Sequence, residues 1–161
     1  MLICMFFVCS VNAETVPFGE HNYNEVPQLS EADIYRMNQG NAAFLYNDQG
    51  YVSFLRGRFS DEKVTDAEKG VESLMGIADL LGLSKGSEFF GVYGEQDEYG
   101  YTYITYKQRY GDITLENASL KIILDPEGYT AGLVSSFTPN VGIAPKEESS
   151  ITGQDAEKII Q

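Results

Sequence analysis

Histidine is almost absent from this sequence, with His21 as its single copy. A zinc site of the H-E-x-x-H type needs two imidazoles one helical turn apart, so it cannot form here. The same shortage removes Ser-His-Asp and Cys-His catalysis, in which an imidazole serves as the base. We therefore predict no catalytic residue and no metal site, and a protein that is not an enzyme.

Cysteine is equally scarce. Cys4 and Cys9 both fall within residues 1–13, an apolar run without a charged side chain that ends in Val11-Asn12-Ala13. Such a run is typical of a signal peptide, and it is shorter than the roughly 20 residues that a membrane-spanning helix needs. We expect cleavage after Ala13 and a bacterial protein that is secreted to the extracellular space or the cell envelope, with no membrane contact afterwards. A chain of about 150 residues without disulfides must then rely on one apolar core.

Positive charge is also in short supply. The chain has 11 basic and 24 acidic residues, a formal net charge of −13. Nucleic acid and anionic membranes would be repelled by this charge, so neither is an expected partner. Solubility alone accounts for most acidic surfaces. No glycine-rich phosphate-binding loop occurs either, and we predict no cofactor.

Acidic residues offer the remaining candidate chemistry. Glu95 with Asp97 and Glu98 could form a carboxylate pair of the glycosidase type, and Asp125 and Glu127 add possible calcium ligands. No twelve-residue EF-hand pattern surrounds them, and residues 95–100 lie between two predicted strands. A charged hairpin loop is therefore the preferred interpretation, and no metal is assigned.

The first third of the chain begins with a polar segment interrupted by prolines, which predicts an N-terminal arm. Ser30 is a suitable cap for a short helix that runs to about residue 39. Residues 44–46 and 51–55 then predict two short strands around a turn.

The clearest helix signal follows Thr65, because Thr65 and Glu68 have the spacing of a capping box. Apolar residues recur at intervals of three and four and form one stripe, with Gly82 as a left-handed cap. The stripe consists of Val71, Leu74, Met75, Ala78 and Leu81. This pattern predicts one long amphipathic helix.

Four strands are predicted after the helix, at residues 88–93, 101–110, 118–124 and 129–138. Residues 101–110 alternate in character, which predicts one buried and one solvent-facing side. Short turns between successive strands favour antiparallel pairing. The predicted fold class is therefore α+β, a two-layer domain with an antiparallel sheet of about four strands packed on one long helix.

Tyrosine is abundant, with eleven copies. A cluster in and before the second of these strands could form a recognition face, although cross-strand packing explains it more simply. It consists of Tyr99, Tyr101, Tyr103, Tyr106 and Tyr110.

Residues 103–132 read YITYKQRYGDITLENASLKIILDPEGYTAG. The order of their motifs resembles the fungalysin/thermolysin propeptide (FTP) domain of secreted zinc metallopeptidase precursors. The matching motifs are Tyr106-Lys107-Gln108-Arg109-Tyr110, Gly111-Asp112-Ile113, Ala118-Ser119-Leu120 and Asp125-Pro126-Glu127-Gly128. The likeness extends over residues 52–160, and Ile151-Thr152 with Ala156 is similar to the start of the PepSY unit that follows in that family.

The resemblance implies a cystatin-like prodomain that masks a peptidase cleft, assists folding of the peptidase and binds it noncovalently. Its expected partner is a secreted thermolysin-like metallopeptidase domain, in cis or in trans, and Tyr106, Gln108 and Tyr110 are the expected contacts because they match the family pattern. The implied division is a signal peptide at 1–13, an arm with a short helix at 14–43, an FTP-like domain at 44–145 and the start of a truncated PepSY-like unit at 146–161. The alternative is a stand-alone exported interaction protein of the extracellular space or cell envelope without a protease partner.

Overall fold

The computed structural model describes residues 26–83, 88–110 and 113–139, with the side chains of residues 88, 90–93 and 110 not described. The predicted signal peptide, the arm up to residue 25 and the PepSY-like unit lie outside these residues. The elements are α1 (Glu31–Met37), β1 (Ala43–Tyr46), β2 (Val52–Arg56), α2 (Ala67–Met75), α3 (Ala78–Leu81), β3 (Glu88–Gln96), β4 (Thr102–Tyr110), β5 (Ile113–Leu124) and β6 (Thr130–Ser135).

The six strands form one antiparallel sheet in the order β1-β2-β6-β5-β4-β3. The predicted α+β class with an antiparallel sheet is confirmed, but the expected count of about four strands is wrong. The hairpin of β1 and β2 joins the other four strands because β2 pairs with β6, where Leu55 lies opposite Leu133. The sequence pattern showed both strands of this hairpin but not their distant partner.

The predicted single long helix is also wrong, because the helical segment is interrupted between α2 and α3. Gly76 caps α2, and glycine has a low helix propensity. The preceding segment supplies other donors to the carbonyls at the break: the Leu29 amide bonds the Gly76 carbonyl at 2.7 Å, and Gln28 Nε2 bonds the Met75 carbonyl at 2.7 Å. The predicted apolar stripe continues across the interruption, and all five of its residues are buried.

The helix caps correct one prediction and confirm another. Asp66, not Thr65, caps α2, and its carboxylate accepts from the Lys69 amide at 2.9 Å. The capping box instead lies at α1, between Ser30 and Asp33. Gly82 is left-handed as predicted, with φ of 66°.

The core lies between the helices and one face of the sheet, here called the inner face. It contains Ile34 of α1, so this short helix packs on the same core as the strands. Helix α2 packs closely against β4 at Gly70, where an added Cβ would lie 2.0 Å from the Tyr106 hydroxyl oxygen. Glycine is therefore required for α2 to sit this near to β4.

Three hairpin turns share one design, in which Asn or Asp is followed three residues later by Gly-Tyr. In each turn the first residue's Oδ1 accepts from two backbone amides, and the glycine has φ of 83°, 86° or 90°. The turns are 47–51, 97–101 and 125–129. Positive φ explains the glycine, and the short polar side chain at the first position ties the turn together.

Candidate functional site

The sheet has a second, outer face, and every described helix lies on the opposite side. Tyr35 of α1 contacts Phe44, and Gly70 of α2 lies against Tyr106. Phe44 and Tyr106 belong to the inner face. The described chain ends stay on the inner side as well. Val26 packs against the core, and the Phe137 ring lies 5.5 Å from that of Phe89. Within the described residues nothing covers the outer face.

An apolar strip crosses one half of the outer face. Register places Leu45 opposite Phe54 and Phe54 opposite Val134, so these three side chains lie side by side on β1, β2 and β6. Leu45 is 62% exposed and Val134 is 44% exposed. Phe54 between them is half-buried. Apolar side chains of this size usually turn inward in strands, and a contiguous apolar row that is partly exposed is typical of an interaction surface.

The other half of the outer face is basic and aromatic. Lys121 follows Val134 in the same row, with Thr105 beyond it. In the next row Ile123 lies opposite Tyr103, and the Lys121 ammonium is 5.9 Å from the centre of the Tyr103 ring. The outer face therefore joins an apolar half to a cationic half.

Asp97 anchors the margin of this face at the turn between β3 and β4. Burial opposes ionisation, but a hydrogen bond from the Tyr103 hydroxyl at 2.8 Å and bonds from backbone amides outweigh it, so the pKa of Asp97 is lowered. The same hydrogen bond raises the pKa of Tyr103. The carboxylate thus organises a turn, as expected from the preference for a charged loop over a catalytic pair at residues 95–100.

Two of the predicted partner contacts are not on the surface. Tyr106 is 1% exposed, and its hydroxyl donates to the Ala67 carbonyl at 2.9 Å. Burial raises the pKa of Tyr106, with a further contribution from the charge of Asp66. Gln108 is 2% exposed and bonds the backbone of Thr138 twice, each time at 2.9 Å. These residues hold β4 to α2 and to the segment after β6.

The side chain of Tyr110 lies outside the described residues, so the contact predicted for it stays a prediction. The buried positions of Tyr106 and Gln108 explain the glutamine-and-tyrosine pattern of β4 by packing. The rest of the tyrosine cluster divides differently: Tyr99 is 74% exposed and Tyr101 is 37% exposed, both at the turn before β4. The outer-face residues Leu45, Phe54 and Val134 were not identified from the sequence. Each stands beside another apolar residue (Phe44, Leu55 and Leu133), so the sequence does not show which of the two faces outward.

The inner side carries a cleft of about 560 Å³ between α2, residues 26–29 and residues 59–64. Phe59, Val64 and Met75 contribute its apolar lining, and Lys63 and Lys69 are among its charged residues. No group of three or more His, Cys, Asp or Glu side chains is placed to hold a metal ion in the part of the chain that the structure describes. The described helices include none with the length and apolar character needed to cross a membrane.

The arrangement of the outer face suits noncovalent binding, since it presents exposed apolar and cationic side chains on a rigid sheet. Comparison with known proteins adds no relative: no family model, no curated protein and no solved structure matches this chain.

Proposed function

We propose that this chain is a non-catalytic, propeptide-like binding module of the bacterial cell exterior that inhibits a thermolysin-family zinc metallopeptidase or assists its folding, in cis or in trans. The outer face, which no described part of the chain covers, carries the proposal, because both described chain ends and all described helices lie on the other side. The motif order of β4 to β6 supports the choice of partner by resemblance, as does the two-layer α+β arrangement, which we interpret as cystatin-like.

The outer face has the properties of a binding surface for a folded protein. Its apolar strip can be desolvated by a partner, and burial of apolar area yields about 25 cal/mol per Å². Of the strands beneath it, β2 and β6 are paired on both sides and β1 on one, so little backbone entropy is lost on binding. Binding by this face would leave the inner core unchanged.

The test is inhibition and refolding of a purified thermolysin-family peptidase by the full chain. We expect slower hydrolysis of a peptide substrate, or a higher yield of active peptidase after dilution from denaturant, at stoichiometric concentrations. Leu45→Asp combined with Val134→Asp should abolish the effect. Tyr35→Asp is the control, because Tyr35 is 40% exposed on α1, on the other side of the sheet.

Absence of both inhibition and refolding assistance would overturn the peptidase partner. The second candidate would then remain, a stand-alone exported interaction protein. It is favoured by one observation: the sheet has six strands, two more than the count of about four in the fold predicted from the sequence, because β1 and β2 extend it. Under this candidate the outer face still binds a partner, and the two Asp substitutions would weaken that binding without any effect on a peptidase.

A further inference from the structure

Three cations that lie off the sheet are each neutralised by a nearby carboxylate. Arg36 pairs with Asp33 at 2.9 Å, Arg58 approaches Asp61 at 3.9 Å, and Lys69 pairs with Glu72, all three pairs off the sheet.

Arg56, Lys107 and Lys121 are exposed on the outer face. They take part in none of the ion pairs found among the described residues. Three cations outside these pairs thus lie together on one surface, whereas Lys63, also outside them, lies off the sheet with its ammonium 5.1 Å from the centre of the Tyr129 ring.

The neighbours of these three cations are apolar or hydroxyl-bearing. Lys121 lies between Val134 and Thr105, Lys107 lies opposite Ser119, and Arg56 lies opposite Gly132. Among the cross-strand pairs of this face whose side chains are described, Glu95 is the only carboxylate, at the β3 edge. The described pairs from Leu45 across to Thr105 thus contain no carboxylate, and Glu95 and Asp97 lie at the β3 margin of this face.

We infer that the outer face binds an acidic segment of its partner, an extended stretch in which apolar side chains alternate with carboxylates. This inference rests on the proposed function and names the chemistry of the partner surface. Apolar side chains would cover the strip of Leu45, Phe54 and Val134, and carboxylates would reach Lys107 and Lys121. Charge complementarity determines that the partner segment is acidic. A cationic segment would be repelled by these cations and attracted to the acidic residues elsewhere on the chain.

Electrostatics gives this inference a measurable signature. The formal net charge of −13 repels an acidic partner at long range, whereas the three cations attract it at contact. Salt screens interactions beyond about 8–10 Å at 0.1–0.15 M ionic strength, so the long-range repulsion weakens first. Binding of the acidic segment should therefore be weakest at very low salt, strengthen near 0.1 M, and weaken again at higher salt.

The test uses two synthetic octapeptides, one alternating leucine and glutamate and one alternating leucine and lysine, added to the isotopically labelled full chain. We expect the leucine–glutamate peptide to shift the amide resonances of Leu45, Lys121 and Val134. Lys107→Glu combined with Lys121→Glu should weaken this binding by about tenfold or more, as loss of close charge pairs does. Arg36→Glu combined with Lys63→Glu changes the net charge equally but off this face, and should weaken it far less.

Two results would overturn the inference. One is an absence of outer-face shifts with the leucine–glutamate peptide, and the other is equal weakening by both double variants. Neither depends on a peptidase. Binding of the acidic peptide without peptidase inhibition would uphold the surface and remove the proposed partner, whereas inhibition that survives Lys107→Glu with Lys121→Glu would uphold the partner and remove its acidic segment.

Discussion

Leu133 and Val134 are neighbours in β6, yet they belong to two different surfaces. Leu133 is fully buried on the inner face between Leu55 and Ile122, and Val134 is 44% exposed on the outer face between Phe54 and Lys121. The inner face is packed by helices and determines the fold. The outer face is free of such packing in the described chain, so its residues can change with little effect on stability. Folding and the binding that we propose for the outer face are therefore separable on one sheet.

The largest expected difference comes from truncating these two neighbours. Leu133→Ala should lower the free energy of unfolding by about 2–5 kcal/mol, because it leaves a cavity in the core. Val134→Ala should cost about 1 kcal/mol or less, mainly through strand preference. Urea unfolding followed by circular dichroism measures both. Equal losses would show that the outer face is covered in the intact protein.

The contact of Gly70 with Tyr106 should give the next largest effect. Gly70→Ala should destabilise the fold by about 1–3 kcal/mol through overpacking, partly offset by the roughly 1 kcal/mol gain in helix propensity. Removing the hydroxyl with Tyr106→Phe costs about 1 kcal/mol by itself, since its bond to Ala67 is lost. The double variant should be less destabilised than the sum of the two. If the two losses in free energy of unfolding add within about 0.5 kcal/mol, α2 shifts to make room and the added Cβ does not overlap the Tyr106 hydroxyl.

Asp66 should contribute less, and in a pH-dependent way. Asp66→Ala removes the cap of α2 and should cost about 1 kcal/mol near neutral pH. A hydrogen bond from the Lys69 amide lowers the pKa of Asp66 below the usual 3.8. A lowered native pKa means that the carboxylate stabilises the fold above its unfolded pKa and that this contribution is lost as pH falls through the native pKa.

The gap in stability between wild type and Asp66→Ala should therefore be constant from neutral pH to about pH 4 and shrink below it. Asp66→Asn serves as the control, because asparagine caps helices as well as aspartate does but carries no charge. A gap that widens on acidification would contradict this assignment.

The smallest expected effect is that of reversing outer-face charges. Lys107→Glu combined with Lys121→Glu should change the free energy of unfolding by no more than about 0.5 kcal/mol, because both side chains are exposed and neither belongs to an ion pair found among the described residues. Urea unfolding is again the measurement. A loss comparable to that of Leu133→Ala would show that the two faces are not independent.

The sequence predicted local structure well where the signal was itself local. The alternation of residues 101–110 predicted that β4 has one buried side, without showing which side, and Ile104 is buried there. Tyr106 and Gln108 are buried on the same side, although the family pattern had made them expected partner contacts. Likewise, the left-handed Gly82 and the turn at 125–128 depend on contacts within a few residues. Such features follow from the dihedral preferences of glycine and from nearby side-chain acceptors.

Prediction failed where distant residues decide the structure. The interruption of the helix at Gly76 depends on hydrogen bonds donated by Gln28 and Leu29. The presence of six strands in one sheet depends on the pairing of β2 with β6. Burial of Gln108 likewise required the segment after β6 to supply Thr138 as its partner. Periodicity cannot show such contacts, because neither of the two segments has a local sequence pattern that identifies its distant partner.

The strand order has a consequence for the sequence of events in folding. Each hairpin turn closes through hydrogen bonds that span only five residues. By contrast, β2 and β6 are separated in the chain by α2, α3 and three further strands. When the chain is synthesised from its N terminus, the hairpin of β1 and β2 can form first. The edge of β2 that pairs with β6 must then stay unpaired until nearly the whole domain has been made. Completion of this sheet is a late, long-range event, slower than formation of any of its hairpins.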